Sequence, residues 1–247
     1  MTSRTATAAG GTGAAGPDPA ARRARVAVST LFLVNGALLA GVLPRLPLIK
    51  ETLELSNAEL GAAVAAAPIG GLLAGGLAGA LIGRVGSGRL AVLTGLAATL
   101  LLVSIALAAT WALLAVAFLV IGAFDATMDA AMNAHGVGVQ RRYGRSILHG
   151  FHGWWSAGTL AGGTIGALAA GLGIPVAAQL GVMGVGLAAV TLAASRGLLP
   201  DAEADAGADD LIDGEAPAEG GVPGADAAPV AIGLRHARIW RRCTSTV

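Results

Sequence analysis

The stretch LAVLTGLAATLLLVSIALAATWALLAVAFLVIGAF, residues 90–124, is 35 residues long and carries no charged side chain. A second uncharged run of 49 residues covers residues 147–195. As single α-helices the two runs would be about 52 Å and about 73 Å long. The hydrocarbon core of a bilayer is only about 30 Å thick. Each run therefore predicts a hairpin of two transmembrane helices, and the chain is predicted to be an all-α, polytopic membrane protein.

The composition agrees with this fold class and excludes several functions. Of the 247 residues, 55% are hydrophobic and 13% are charged, and the mean hydropathy is +0.71. The net charge of +1 provides no basic field for a nucleic-acid partner. Cys243 is the single cysteine, so an intrachain disulfide or a cysteine-based metal site is excluded. We expect a protein whose main partner is the lipid bilayer, with no cofactor and no metal.

Six spans are predicted from hydropathy and turn residues: 26–43, 62–82, 90–108, 112–134, 147–171 and 174–195. The basic residues set their orientation. Nine arginines fall on one side of the predicted bundle, whereas the other side receives Arg45 and Lys50. By the positive-inside rule, both termini are expected in the cytoplasm of a multi-pass protein of the bacterial inner (plasma) membrane.

The segments outside the spans have a different character. Residues 1–25 are expected to be a disordered cytoplasmic N-terminus. A signal peptide is the alternative, although no small-residue cleavage site clearly follows residues 26–43. Residues 197–234 are expected to be a disordered acidic linker. Residues 235–247 turn basic and aromatic, as before a further span, so a truncation or a frameshift is expected there.

Two motifs resemble the N-terminal half of a transporter of the Major Facilitator Superfamily (MFS). The loop GALIGRVGSGR, residues 79–89, resembles the family's gating loop, with Gly79, Arg84, Gly86 and Arg89 matching and Gly83 in the position of the family's Asp. Residues 125–152 resemble a bacterial subgroup of sugar and fucose-type permeases. The resemblance covers residues 26–196 and implies one six-helix half, built as a 3+3 inverted repeat.

The same resemblance implies secondary active transport of a small solute, coupled to protons, with a sugar as the suggested substrate. A full transporter has two six-helix halves. The chain would therefore need a C-terminal half or a second copy as its partner. The alternatives are a truncated, inactive half and a non-transporting structural membrane protein.

Glycines spaced by four predict close helix packing. Span two carries Gly71, Gly75 and Gly79. Span five carries Gly158, Gly162 and Gly166. Small residues at this spacing form a smooth strip that lets two helices approach. In so glycine-rich a chain, chance is the alternative explanation. By resemblance, these helices would face the other half of the transporter.

Asp125, Asp129 and Asn133 form one stripe on span four, since they are spaced by four residues. A carboxylate at the bilayer centre costs about 3 kcal/mol, so this stripe should face a cavity or a partner. We expect Asp125 to be the proton-coupling acid, and Asp129 and Asn133 to line the cavity. Capping or bridging of helices is the alternative for the last two.

His149 and His152 begin span five at a depth close to that of Asp129. A hydrogen-bonded Asp129–His152 pair is therefore a hypothesis, with a purely structural histidine as its alternative. Asn35, inside span one, is by resemblance a candidate substrate ligand; a hydrogen bond to a neighbouring helix is equally possible. Arg45, at the outer end of span one, is interpreted as a side chain that snorkels to the interface, with attraction of an anionic solute as the alternative.

Four aromatic residues could stack on a sugar, although packing or interfacial anchoring is more common for such residues: Phe32, Phe151, Trp154 and Trp155.

An enzyme is not expected. A rhomboid-type protease needs Ser and His on different helices, whereas Ser156, His149 and His152 share one span. A channel is not expected either, because the sequence offers no ring of charged residues that could form a selectivity filter.

Overall fold

A computed structural model describes residues 17–206, and within that range every regular element is helical. The helices are α1 (Pro19–Ala40), α2 (Leu46–Thr52), α3 (Asn57–Val85), α4 (Ser87–Leu101), α5 (Val103–Leu107), α6 (Trp111–Tyr143), α7 (Leu148–Gly171), α8 (Val176–Ser195) and α9 (Asp201–Ala204). A 3-10 turn, Leu43–Arg45, precedes α2. The predicted features of residues 1–16 and 207–247, including the basic tail, lie outside the described residues.

Local capping chemistry sets the helix boundaries. Asp18 begins α1 by accepting the backbone N–H of Ala21 at 2.7 Å. Ser56 and Glu59 form a reciprocal capping box at the start of α3, with bonds of 2.8 and 3.2 Å between side chain and backbone. Gly144, with φ +71°, ends α6 in a left-handed conformation.

Five helical segments of the described chain are long and apolar enough to cross a bilayer: Pro19–Thr52, Asn57–Val85, Ser87–Leu107, Trp111–Tyr143 and Val176–Ser195. They agree with five of the predicted spans. The sixth, α7, has 24 residues but contains two histidines, two tryptophans and many glycines, and it does not reach the same hydropathy. Its crossing of the membrane therefore stays a prediction.

The helices pair in a pattern with internal symmetry. The main contacts are α3 with α6, α1 with α7, α4 with α6 and α8, and α1 with α6 and α8. Exchanging α1 with α6, α3 with α7, and α4 with α8 converts this set of contacts into itself. That is the relation expected of two packed three-helix units. The all-helical arrangement is consistent with an MFS half bundle.

Glycine packing explains how α7 is held. Gly158, Gly162 and Gly166 are buried against the backbone of α1, where a Cβ on any of them would come closer than 3.0 Å to main-chain atoms. This strip therefore mediates close packing inside the bundle. The face that carries these glycines is occupied by α1, and the expectation that this helix also faces the other half of the transporter stays a prediction.

The corresponding series on α3 lies in a different environment. Gly70 is the buried glycine that contacts the backbone of α6, at Leu119. A Cβ on Gly71 would lie 3.1 Å from the Cβ of Ala126, whereas one on Gly75 would meet nothing within 4 Å. Gly79 is exposed. The packing strip of α3 is thus shifted by one residue from the predicted one.

Two boundaries differ from the sequence-based expectation. Helix α1 starts at Pro19, so residues 19–25 are helical where disorder was predicted; the Asp18 cap and Pro19 at the first helical position explain this start. The acidic linker also begins with ordered residues. Helix α9 packs under the bundle, held by contacts described below.

Candidate functional site

A polar network joins three helices at the centre of the bundle. Asn35 on α1 donates from Nδ2 to Oδ1 of Asp125 on α6 at 2.8 Å, and to the Asp125 carbonyl at 3.3 Å. Trp155 on α7 donates its indole N–H to Oδ1 of Asn35 at 3.0 Å. We call these three residues the polar triad. The structure thus brings together Asn35 and Asp125, two residues singled out by the sequence.

The geometry of the polar triad assigns different tasks to its members. Asn35 is 7% exposed, and both atoms of its amide already have partners within the triad. It therefore bridges neighbouring helices, which was the alternative to substrate binding. Asp125 is partly exposed, and its second carboxylate oxygen makes no hydrogen bond to any residue in 17–206. That oxygen is the one available to a proton or a solute.

The polar residues nearer the C-terminal end of α6 and the start of α7 bond locally. Asn133 donates to the Asp129 carboxylate at 3.1 Å and to its carbonyl at 2.9 Å, one turn back on α6. His152 uses Nδ1 against the carbonyl of Leu148, one turn back on α7, at 3.2 Å. Within the described chain no hydrogen bond joins Asp129 to His152. That prediction was wrong because each side chain finds a partner on its own helix.

Aromatic residues pack between α1 and α7. The rings of Phe32 and Phe151 stack at 5.4 Å with an interplanar angle of 19°, and both are 1% exposed. His152 lies 5.4 Å from the Phe32 ring, and His149 is exposed. The two phenylalanines are therefore packing residues. Trp155 is 42% exposed, and its indole N–H is held by Asn35.

A second cluster lies at the inner ends of α4, α6 and α9. Helix α4 begins after Gly86, which has φ +93° and no side chain with which to cap it. The missing acceptors come from α9 and the residue after it. Asp201 accepts the N–H of Gly88 at 2.7 Å, and Asp205 accepts the N–H of Ser87 at 3.0 Å. Backbone N–H groups at a helix start favour such anionic partners.

The same cluster contains a buried histidine on α6. His135 has no exposed surface, and its Nδ1 lies 2.9 Å from the Ser87 hydroxyl, which also bonds Asp205. We call Ser87, His135, Asp201 and Asp205 the inner clasp. Sequence reasoning missed it, because nothing in the linker signals that these two aspartates, among many, would fold back onto α4.

The inner clasp holds part of the predicted gating loop. Arg89 lies 3.4 Å from the Asp201 carboxylate, with 79% of its side chain exposed, while Arg84 is exposed. Gly86 provides the left-handed turn between α3 and α4. The loop has Gly83 where the resembled family has Asp. The carboxylates that contact the loop are those of Asp201 on α9 and Asp205 directly after it.

Arg142 ties the inner end of the bundle together. It lies 2.9 Å from the Asp18 carboxylate at the start of α1, and it also pairs with Glu203 of α9. Neighbouring Arg141 donates to the carbonyl of Ala204 at 2.9 Å. These contacts fix α9 against α1 and α6.

At the outer end, Arg45 is 1% exposed and donates to the carbonyl of Ile174 in the α7–α8 turn. The interpretation of Arg45 as a snorkelling side chain was wrong, since the guanidinium points into protein. Gln179 on α8 donates to the carbonyl of Gly41 at 3.0 Å. Both residues anchor the turn after α7 to the end of α1.

Chemically, the polar triad offers one carboxylate, one amide and one indole. Within residues 17–206 no group of three His, Cys, Asp or Glu side chains is arranged to hold a metal ion. The triad is suited to hydrogen bonding and to proton exchange at the unbonded oxygen of Asp125.

Comparison with known proteins identifies the family. A sequence profile of the Major Facilitator Superfamily matches residues 28–240. The chain is 34% identical over 177 residues to an uncharacterised MFS-type transporter of Yersinia pestis, covering 71% of this chain and 46% of that protein. It is 29% identical over 149 residues to an uncharacterised transporter of Sinorhizobium fredii, covering 60% of this chain and 40% of that protein.

The chain thus spans about half the length of the curated relatives that it matches. No solved structure gave a significant match. The family consists of transporters rather than enzymes. Together with that family, the long apolar helices of this chain imply a membrane protein. The profile match covers most of the chain and agrees with the paired helical units, so this protein belongs to the Major Facilitator Superfamily.

Proposed function

We propose that this chain forms one half of a proton-coupled secondary transporter of a small solute in the bacterial plasma membrane, with both ends on the cytoplasmic side and α7 as its sixth span. The observation that carries the proposal is the polar triad. Trp155 holds the amide of Asn35, and Asn35 in turn holds the partly exposed carboxylate of Asp125 within a largely apolar helical bundle.

A membrane-embedded carboxylate is costly and is retained where it has a task. Asn35 fixes one oxygen of Asp125 and leaves the other able to bind a proton. Protonation removes the charge and with it the need for a hydrated or donor-rich environment. A cavity around Asp125 could then close more readily in one state than in the other, which couples proton binding to a change of conformation.

Exposed polar residues on α6 and α7 support the need for a second bundle. Asp129, His149 and His152 are exposed, and contact with lipid is unfavourable for such ionisable side chains. A second six-helix unit, either a C-terminal half or a second copy, would enclose them in a polar cavity. The partly exposed indole of Trp155 would suit stacking on a sugar, in keeping with a permease of the sugar and fucose type.

The experiment is a transport assay in proteoliposomes loaded with a pH-sensitive dye. External D-glucose and L-fucose serve as probes. With the native chain, a transported sugar should acidify the lumen. The Asp125→Asn variant should abolish this acidification while retaining exchange of labelled sugar between the two sides. Asp129→Asn is the matched control, one turn away on the same helix, and should retain most of the coupling.

Unchanged acidification by Asp125→Asn would remove the coupling role. The need for a second bundle is tested separately, by the mass of the protein in mild detergent. A persistent homodimer supports the second-copy arrangement. A monomer with transport activity would contradict the need for a second bundle, and an aggregating monomer would support an orphan half.

A further inference from the structure

A groove of about 450 Å³ opens at the inner end of the bundle, between α1, the end of α6 and the start of α7. It is separate from the polar triad and from the inner clasp. Its lining residues come mainly from one face of α1: Arg22, Arg25, Val26, Ser29, Thr30, Leu33, Tyr143 and Trp154. None of them is acidic.

Two arginines supply the charge of this groove. Arg25 donates to the hydroxyl of Tyr143 at 2.9 Å and lies 5.2 Å from the centre of its ring. Arg22 donates from Nε to the carbonyl of Pro17 at 3.0 Å. Neither forms an ion pair with a carboxylate in residues 17–206. Their positive charges are therefore held in place but not neutralised by the described part of the protein.

The groove changes from polar to apolar along the helix. Arg22 and Arg25 lie at its cytoplasmic end, followed by the hydroxyl-bearing Ser29 and Thr30. Leu33 lies eight residues beyond Arg25, which is about 12 Å along a helix. The indole of Trp154, 49% exposed, lines the same groove. Tryptophan with an apolar body and a polar edge is typical of the membrane interface.

We propose that this groove binds an anionic phospholipid of the cytoplasmic leaflet. The phosphate would pair with Arg22 and Arg25, and an acyl chain would run along Leu33 and Trp154. Charge complementarity carries this choice, since anionic headgroups are attracted to paired basic residues at the inner surface. The proposal rests on the cytoplasmic orientation given above, but not on transport activity or on Asp125.

The test measures lipid binding by the full chain purified in detergent micelles. Phosphatidylglycerol is titrated against the thermal unfolding midpoint, and phosphatidylcholine with the same acyl chains is the comparison lipid. Native protein should be stabilised by the anionic lipid at lower concentration. The Arg22→Gln/Arg25→Gln variant should bind it about 25-fold more weakly, about fivefold for each arginine. Each single variant should show about the fivefold loss.

Arg23→Gln is the matched control. Arg23 is exposed on the same turn of α1 but does not line the groove, so its loss should leave phosphatidylglycerol binding unchanged. An equal loss with Arg23→Gln would show unspecific attraction and overturn the site. Equal stabilisation by phosphatidylcholine would overturn the role of charge. The same shift with glycerol phosphate alone would mark a small-anion site rather than a lipid site. None of these readouts depends on sugar transport, so failure here is distinguishable from failure of the proposed function.

Discussion

Two helix pairs, α1 with α7 and α3 with α6, are related by the exchange of the two three-helix units and are joined in the same way. In the first pair, Gly158 lies against the backbone of α1 and Gly36 against that of α7. In the second, Gly122 lies against the backbone of α3 and Gly70 against that of α6. Each pair is thus joined reciprocally, with a glycine from either helix meeting the main chain of the other.

The two pairs differ in what the close approach brings together. Between α1 and α7 it places Trp155 against Asn35, which holds Asp125. Between α3 and α6 a side-chain hydrogen bond lies at the other end of the pair, where the Trp111 indole N–H donates to the backbone carbonyl of Glu59 at 2.8 Å. This difference indicates that the same glycine packing sets the helix spacing in both pairs, whereas the polar triad lies at the α1–α7 pair.

The largest expected effect breaks this shared scaffold. Gly158→Val and Gly122→Val should each lower the free energy of unfolding by about 3 kcal/mol or more, because the added atoms meet backbone that cannot rotate away. Gly75→Val is the control, since its Cβ would meet nothing within 4 Å. Thermal unfolding and monodispersity in detergent provide the measurement. If Gly75→Val is as damaging as the other two, glycine packing is not what holds these pairs.

The next largest effect is expected from substitutions in the polar triad, and it should distinguish the two helix pairs because the triad involves α1 and α7 but not α3. Asn35→Ala removes the donor that holds the Asp125 carboxylate, and it should lower proton-coupled uptake about tenfold or more, the effect of losing a hydrogen bond to a charged group. Trp155→Phe removes only the bond to Asn35 and should have a smaller effect. Both should shift the pH profile of uptake.

A control comes from the other pair. Trp111→Phe removes the corresponding indole N–H at the outer end of α3–α6 and should leave the pH profile of uptake unchanged. A shift in that profile as large as that of Asn35→Ala would mean that coupling is not specific to the polar triad.

The fold was largely predictable from sequence, for reasons that particular residues make clear. Long uncharged runs admit only hairpins, so the existence of most spans followed directly. The Asp–Asn stripe on α6 predicted a surface that faces a cavity or a partner, and this stays a prediction. Contacts between helices were harder to predict, because they depend on the rotation and register of each helix against its neighbour. Gly70 packs more closely than Gly71 against the backbone of α6, and that one-residue difference is a rotation of the helix that an all-apolar sequence does not encode locally.

The candidate site was predictable only in part. Asp125 and Asn35 were recognised as unusual inside spans, yet their mutual bond depends on how α1 lies against α6. Asp129 and His152 were paired by depth, whereas their actual partners are one turn away on their own helices. The inner clasp depends on a few ordered residues, 201–206, in a segment whose composition is typical of disorder.

A smaller effect concerns the inner clasp, which also joins the two three-helix units. Asp205→Asn and Ser87→Ala should each lower the free energy of unfolding by about 1 kcal/mol, through loss of bonds at the start of α4. The double variant should lose less than the sum, since the two residues bond each other. Glu51→Gln, exposed on α2, is the control. Strict additivity would show that Asp205 and Ser87 act independently.

The smallest expected effect is the pH dependence of the contact between α1 and α6. The backbone N–H of Ala21 and then Arg142 lower the pKa of Asp18 below its ordinary value of 3.8. The unfolded chain therefore takes up this proton at a higher pH than the folded one. The stabilisation is present above pH 3.8 and is lost as the pH falls through the lowered pKa of the folded protein.

Asp18→Asn isolates the charged part of this contact. The amide oxygen can still accept the N–H of Ala21, but it carries no charge for Arg142. Unfolding midpoints of the native chain and the variant should differ near neutral pH and converge below about pH 4. The same convergence is expected for Arg142→Gln. The absence of any difference between the native chain and Asp18→Asn across this range would mean that Asp18 stabilises the start of α1 by its hydrogen bond alone, and that charge contributes nothing to joining α1 to α6.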